Sequence, residues 1–369
     1  MSNEFEILVL PGDGIGPEVT AQAVRVLDWF RDRRRLPASL TERSFGYANW
    51  QKHGTLMPEE TWQRINGSDA ILFGASETVN PKLVPPEERA KGGLLRIRKS
   101  LDVFANMRPV TMQPALMEGS PYKPRITEGV DLVILRELTA GMYFGTPRGI
   151  ETLPDGSRRG INTHTYTEAE IARVARFAFE LARTRRNHVT SVDKSNVMEA
   201  GALWREVVQQ VHREEFPDVR LDHLLADNAF IQLARGPARF DVVVTDNLFG
   251  DLLSDAAGAI LGSLGMLPSA SVSVPGPDGR RKALYEPIHG SAPDIAGQGI
   301  ANPLGAILSV GLMLRWTFDM PEEAALLDRA VTQALARGAR TRDIAAPGED
   351  ATNTAGMGDA VIAALEAER

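Results

Sequence analysis

At 369 residues the chain is too long for one small core and predicts two domains or one elaborated α/β unit. Its 43% hydrophobic and 24% charged content is that of a soluble globular protein, and a net charge of 41 − 48 = −7 weighs against a nucleic-acid partner, which needs a clustered basic surface. The absence of cysteine excludes disulfides, thiolate metal sites and cysteine nucleophiles and suits a cytoplasmic location, while the lack of a signal-like N-terminus or a long apolar run leaves no expected leader or membrane span.

Residues 5–10 (FEILVL) read as a buried strand, followed by the Gly-rich turn 11–18 (PGDGIGPE) and a helix over 19–30 with Val19, Ala23, Val26, Leu27 and Phe30 on one face. Strand, glycine turn and helix open an α/β unit. The spacing Gly12-x-Gly14-x-Gly16 differs from the G-x-G-x-x-G dinucleotide fingerprint, so a Rossmann loop is not expected. Residues 69–73 (DAILF) and 131–135 (DLVIL) are further strands, and 93–101 (GLLRIRKSL) is a basic amphipathic helix. A helix over 167–184 opens on Thr167 with Glu170 three residues on, the spacing of a capping box. Strands at 189–192, 222–225 and 241–245 and a helix at 201–216 continue the alternation expected of layered α/β architecture. Residues 274–279 (VPGPDG) form a turn, 340–350 a surface loop and 355–365 a last helix.

Arg136, Lys194, Asp227 and Asp246 stand at the C-terminal ends of apolar strands. Singly, each is a routine strand-end polar residue; together they point to a shared site, because ligands of open α/β sheets bind outside the carboxyl ends of the strands. In the segment 240–255 (FDVVVTDNLFGDLLSD), Asp251 and Asp255 are four apart on a helical stretch and share a face. Like charges that close repel unless a cation lies between them, and no Lys or Arg occurs within the segment. A hard divalent cation satisfies that geometry; two solvent-facing helix-start acids satisfy it equally.

Arg98, Arg108 and Arg136 carry planar forks that match carboxylates, or are ordinary surface arginines. Leu94 shares a helix face with Arg98, so that an apolar group and a cation would be displayed together. Tyr143, between glycines in GMYFG, could act as a general acid and Lys194 as a general base; a packed aromatic and a salt-bridged strand end are the plainer alternatives. Residues 286–303 (EPIHGSAPDIAGQGIANP) lack hydrophobic periodicity and are long for a plain loop, so they are either a binding loop or surface.

The motifs LPGDGIGPEV, GGLLRIRKSLDVFANMRP, RELTAGMYFG, VDKSNV, TDNLFGDLLSD and EPIHGSAPDIAGQGIANP follow one another in this order. The chain thereby resembles the β-decarboxylating dehydrogenases of isopropylmalate, isocitrate, homoisocitrate and tartrate over nearly its whole length, and within that family it is similar to the isopropylmalate branch in the form RELTAGMYFG. The resemblance implies a two-domain isocitrate/isopropylmalate dehydrogenase-like α/β fold, not a Rossmann fold. Residues 1–103 and 262–369 would form a discontinuous cofactor-binding domain, and 104–261 a substrate, metal and dimerisation domain. It implies that Arg98, Arg108 and Arg136 bind the carboxylates of a 2-hydroxy dicarboxylate. Leu94, Leu95 and Val197 would line an apolar pocket. Tyr143 would be the general acid, and Lys194 would help deprotonate the 2-hydroxyl. Asp227, Asp251 and Asp255 would ligate Mg²⁺ or Mn²⁺, with Lys194 and Asp227 supplied by the second subunit of a homodimer with shared active sites and Asp227 also touching substrate.

The same resemblance implies that Asn196 approaches the nicotinamide of NAD, and that Glu286, His289, Gly290, Ser291, Ala292, Asp294, Ile295 and Asn302 hold the cofactor. Asp294 suits a ribose 2′-hydroxyl and would repel a 2′-phosphate, which favours NAD over NADP. The implied activity is NAD-dependent oxidative decarboxylation of 3-isopropylmalate in leucine biosynthesis, with tartrate or D-malate as the alternative substrate. Leu94 stands where isocitrate-type members place a polar residue for a third carboxylate, and an apolar wall would leave that carboxylate desolvated. Two stretches depart from the branch pattern: 74–93 (GASETVNPKLVPPEERAKGG), with Lys91 near the position of a usual acid, and the polar 271–282.

Overall fold

The computed structural model describes residues 4–76 and 83–368. Among them the strands are β1 (Phe5–Gly12), β2 (Ala38–Glu42), β3 (Ala70–Ala75), β4 (Ala105–Thr111), β5 (Asp131–Glu137), β6 (Gly149–Thr152), β7 (Arg158–Ile161), β8 (His188–Asp193), β9 (Arg220–Leu225), β10 (Val242–Thr245), β11 (Ala270–Pro275) and β12 (Arg281–Tyr285). The chain divides into two compact units, residues 1–103, 112–128 and 258–369, and residues 104–111 and 129–257. Residues 112–128, expected in the middle domain, group with the terminal segments, as do 258–261.

The first unit has strand order β2-β1-β3-β12-β11, parallel except for the β11–β12 hairpin. β1 runs two residues further than the expected 5–10 and its helix starts earlier, at Gly16–Arg34. The expected stripe Val19, Ala23, Val26, Leu27 and Phe30 is fully buried, which is why a 19-residue helix of mixed polarity docks. The turn between them needs its glycines. Gly14 has φ +59°, and a Cβ there would sit 1.9 Å from the Ser291 carbonyl oxygen, to which Ile15 N–H donates. Glycine therefore lets two backbones meet here. The helix Tyr47–His53 begins at Gly46, which has no side chain to cap it; Asp13 caps it from the glycine turn, accepting from Tyr47 N (3.0 Å) and Ala48 N (2.8 Å).

The second unit has order β4-β5-β10-β8-β9, with β4 antiparallel to β5 and the others parallel. β10 is central, paired with β5 and β8, and all four of its residues are buried. An unbroken Val242-Val243-Val244 run is what a strand covered on both faces requires. The helix Glu168–Arg183 opens on the expected capping box: Thr167 Oγ1 accepts from Glu170 N, and the Glu170 carboxylate accepts from Thr167 N. β6 and β7 form a separate antiparallel hairpin, largely exposed.

Several elements carried no expectation. The helix Leu304–Trp316 is apolar nearly all round and buried, so it offers no amphipathic period to read. The helices Tyr47–His53 and Glu59–Gly67 and the strands β2, β6 and β7 are short and polar. Residues 286–303 are irregular, as expected. No described helix is long and apolar enough to cross a membrane.

Candidate active site

β5 and β10 are neighbours, and β10 leads through Asp246 into the helix Asn247–Leu261. Asp246 does not face a shared site. It caps that helix, its Oδ1 accepting from Phe249 N at 2.8 Å, and its other oxygen lies 3.4 Å from His164 Nε2. One turn along, Asp251 presents its carboxylate to three side chains. Arg136 Nη1 from β5 pairs with Oδ1, Arg108 Nη1 from β4 lies 3.3 Å from the same oxygen, and the Tyr143 hydroxyl donates to Oδ2 at 2.7 Å. Asp255, one turn further, is 4.0 Å from Arg108 Nη1.

The cations missing from the 240–255 segment thus come from two neighbouring strands. Arg108 and Arg136 are almost wholly buried, and each is held from behind. Arg108 Nε donates to Asn106 Oδ1 (2.7 Å) and its Nη1 to Ser254 Oγ (2.5 Å); Arg136 Nε donates to Asn247 Oδ1 (2.9 Å). Gly250 makes room for this arrangement, since a Cβ there would stand 2.7 Å from the Cβ and Cγ of Arg136. Arg136 also lies over the Tyr143 ring, 5.2 Å from its centroid.

The electrostatics follow from burial. The Tyr143 hydroxyl is pushed above the ordinary tyrosine range, first by burial and then by its bond to the Asp251 carboxylate, so at neutral pH it holds its proton. The Asp255 carboxyl is raised by burial and then by the negative charge of Asp251. Two carboxylates whose repulsion is incompletely relieved by arginine are a fitting seat for a divalent cation, which needs only one or two protein carboxylates besides water and substrate oxygens. Among the described residues no three His, Asp or Glu side chains gather to hold a metal by themselves.

Lys194 and Asp227 keep other company. Lys194 follows β8, Asp227 opens the helix after β9, and their side chains pair at 2.8 Å, which holds the Asp227 carboxyl below its ordinary value. The four strand-end residues therefore resolve into Arg136 with Asp251, Lys194 with Asp227, and a capping Asp246. Asn196 and Val197 lie in an exposed turn after Lys194, Val197 at 72% exposure, so Val197 forms no apolar wall within its own unit.

In the first unit, Leu94 and Leu95 begin the helix Leu94–Ser100. Leu94 lines a cavity of about 200 Å³ together with Asp13, Phe45, Tyr47, Leu56 and Arg89. Arg98 is buried and paired with Glu286 at 2.5 Å, and its Nε has no hydrogen-bond partner among the described residues. His289 follows in the irregular segment. Burial pushes its imidazole below the ordinary histidine value, so it is neutral at pH 7, and its buried Nε2 has no hydrogen-bond partner among the described residues. Ser291 meets the glycine turn through its carbonyl, while Gly290 and Asp294 are exposed. Ala292 has φ +40°, and its carbonyl accepts from Ile295 N. Asn302 is buried, and its Nδ2 donates to Asp343 Oδ2 at 3.1 Å. Asp343 comes from the stretch 340–350 that reads as plain surface loop; the buried Thr341 two residues before it shows that this loop turns inward. The departing loop falls partly at 77–82, outside the described residues.

Asn106, Ser254, Asn247 and Asp343 carried no expectation from sequence. Ser254 had a usable signal, since it lies three residues after Asp251 and shares its helix face. Asn106 stands two residues before Arg108 and shares its strand face, so it too had a local signal; Asn247 and Asp343 reach their partners across 111 and 41 residues of chain and had none.

Comparison with known proteins identifies the family. A family model described as isocitrate/isopropylmalate dehydrogenase matches residues 6–361. The 3-isopropylmalate dehydrogenase 1 of Bradyrhizobium diazoefficiens is 55% identical, covering 99% of this chain and 97% of that protein. The 3-isopropylmalate dehydrogenase of Gluconobacter oxydans is 52% identical with 99% of each chain covered. Among solved structures, isocitrate dehydrogenase from Methylococcus capsulatus superposes with a TM-score of 0.85 at 31% identity, covering 98% of this chain and 99% of that one. A β-decarboxylating dehydrogenase from Thermococcus kodakarensis gives 0.76 at 34% identity, covering 98% and 96%. With a whole-length family match and relatives above half identity, this chain belongs to the isocitrate/isopropylmalate dehydrogenase family.

Proposed function

We propose that the protein is an NAD-dependent 3-isopropylmalate dehydrogenase acting in cytoplasmic leucine biosynthesis, with Mg²⁺ or Mn²⁺. The observation that carries this reading is the convergence of Arg108, Arg136 and a proton-holding Tyr143 on Asp251, one helical turn from Asp255. Two buried arginines with one acid-capable hydroxyl suit a small dicarboxylate that must be reprotonated at carbon. The relatives named 3-isopropylmalate dehydrogenase at 52–55% identity support the substrate.

In this reading Arg108 and Arg136 take carboxylates of the hydroxy acid in place of Asp251, and Arg98 serves the same purpose in place of Glu286. Asp251 and Asp255, with Asp227 of a second copy, hold the divalent cation, which when bound supplies positive charge beside the 2-hydroxyl and the developing enolate. NAD⁺ held in its subsite would supply the hydride acceptor for oxidation at C2. Lys194 of the second copy draws the proton from the 2-hydroxyl. Once C2 is a ketone, the C3 carboxylate belongs to a β-keto acid and leaves as CO₂. Tyr143 then gives its proton to C3, which its raised pKa equips it to hold until that step. Leu94 and Leu95 receive the isopropyl branch, with Val197 of the second copy.

In the same reading His289, Asn302 and Asp343 would serve the adenosine half of NAD and Asp294 its ribose; Glu286, Gly290, Ser291, Ala292 and Ile295 would complete that subsite, and Asn196 would serve the nicotinamide end. The first unit would be the cofactor-binding domain and the second the substrate, metal and dimerisation domain. A homodimer with shared sites is supported by Lys194, whose partner is Asp227 rather than any group around Asp251.

Purified protein with Mn²⁺ should reduce NAD⁺ with 3-isopropylmalate, and NADP⁺ poorly. Turnover of D-malate or tartrate far above that of 3-isopropylmalate would overturn the substrate assignment.

A further inference from the structure

We propose that Asn247 is a positioning residue: one buried side-chain amide sets both the carboxylate-binding Arg136 and the turn that carries Tyr143. The proposal rests on the reading of Arg136 and Tyr143 given above. Asn247 is the first residue of the helix Asn247–Leu261 and is 1% exposed. Its Oδ1 accepts from Arg136 Nε at 2.9 Å and its Nδ2 donates to the Ala140 carbonyl at 2.9 Å. Its backbone N–H donates to the Tyr166 hydroxyl at 2.9 Å, and that hydroxyl bonds in turn to the buried Glu137 carboxylate.

Each contact has a consequence for the site. With the Nε edge of Arg136 bound to Asn247, the Nη nitrogens are the part of the fork left to meet a carboxylate. The Arg136 stem already runs against the helix at Gly250, so the side chain is held at its base as well as at its Nε. Ala140 immediately precedes Gly141–Tyr143, a single helical turn whose first residue has φ +73° and stands so close to Tyr166 that a Cβ would lie 2.6 Å from its hydroxyl oxygen. Holding the Ala140 carbonyl therefore holds the start of the segment that aims Tyr143 at Asp251.

The chemistry of the amide explains why asparagine stands here. The position needs one acceptor and one donor on a single short planar group. Aspartate keeps the acceptor but turns an oxygen toward the Ala140 carbonyl; alanine loses both bonds and leaves two buried polar groups unpaired.

The test is steady-state kinetics on the intact enzyme. The parent is assayed first with 3-isopropylmalate, D-malate and tartrate, and whichever it oxidises is used for the variants. A failed substrate assignment and a failed role for Asn247 thus give different results, while a parent that oxidises none of them overturns both. Asn247→Ala should raise KM for the hydroxy acid about tenfold and lower kcat about tenfold, with KM for NAD⁺ changed less than about twofold. Asn247→Asp should recover the hydroxy-acid KM to within about threefold of the parent while kcat stays about tenfold down, because it restores the Arg136 bond alone. Tyr166→Phe, which removes a single hydroxyl, should reproduce a smaller version of the alanine effect and serves if Asn247→Ala does not fold. Folded alanine and phenylalanine variants with both constants within twofold of the parent would overturn the proposal. So would an aspartate variant indistinguishable from alanine, or a loss that falls equally on KM for NAD⁺.

Discussion

Arg136 shows how much of this site depends on single atoms. Its Nε, Nη1 and ring-facing surface each have a partner, and the charge it carries is answered by Asp251, which also takes the Tyr143 hydroxyl. Removing the Tyr143 hydroxyl removes the proposed acid while leaving the arginine pair in place. Tyr143→Phe is expected to lower kcat about 10²-fold or more with KM for the hydroxy acid little changed, measured by NADH formation. Asp251→Asn strips the charge that balances two buried arginines and weakens the proposed cation seat; the Mn²⁺ concentration for half-maximal activity should rise at least about tenfold. Turnover unaltered by that substitution would remove Asp251 from the metal assignment.

His223 on β9 bears on stability rather than chemistry. Both ring nitrogens are buried without a hydrogen-bond partner among the described residues, and burial first, then the Arg205 charge, lowers its pKa in the folded state. The unfolded chain therefore takes up a proton at a higher pH than the folded one. Stability falls as pH drops through the ordinary histidine value and levels off below the folded one. His223→Gln does not titrate, so its loss of Tm between pH 7.5 and pH 5.5 should be smaller than the parent's, in a thermal melt at both pH values.

At the scale of elements, sequence patterns succeed where a segment's own chemistry decides its structure. The capping box at Thr167 and Glu170 needs only three residues of separation, and it is formed as expected. Thr167→Ala should cost about 1 kcal/mol, read as a lowered Tm with kcat and KM unchanged. The helix Asn247–Leu261 shows the limit of such reading. Its Asp251 and Asp255 are visibly one turn apart, yet the choice between a cation seat and a solvated face lay in residues outside the segment. Gly250 illustrates the same point from the other side, as an ordinary helical glycine in sequence and a clearance for Arg136 in space. Gly250→Ala is expected to displace that arginine and raise KM for the hydroxy acid, with KM for NAD⁺ unchanged.

At the scale of the whole molecule, the division into two units follows chain segments that return: residues 112–128 and 258–369 join the first 103. Lys194 and Asp227 pair with each other inside the second unit. If two copies share sites as proposed, inactive Tyr143→Phe and inactive Lys194→Ala proteins should complement. Denatured, mixed in equal amounts and refolded, they should regain about a quarter of parent activity, since half the dimers are mixed and each of those has one intact site. No regain would argue that each chain acts alone.

What the sequence determined by itself was whatever is encoded locally. The strands β1, β5 and β10 and the helix Glu168–Arg183 are marked by apolar runs, periodicity and capping within a few residues. The six motifs in order marked the family. Short polar elements and the uniformly apolar helix Leu304–Trp316 lack those signals, and the tertiary packing alone formed them. The partnerships of the site were also a tertiary decision. Arg108, Arg136 and Tyr143 reach Asp251 across 143, 115 and 108 residues of chain, and Asp246, equally conspicuous in sequence, became a helix cap instead. A carboxylate's role depends on which charges the fold brings to it, and at a few ångströms in a buried site that proximity outweighs anything its chain neighbours can express.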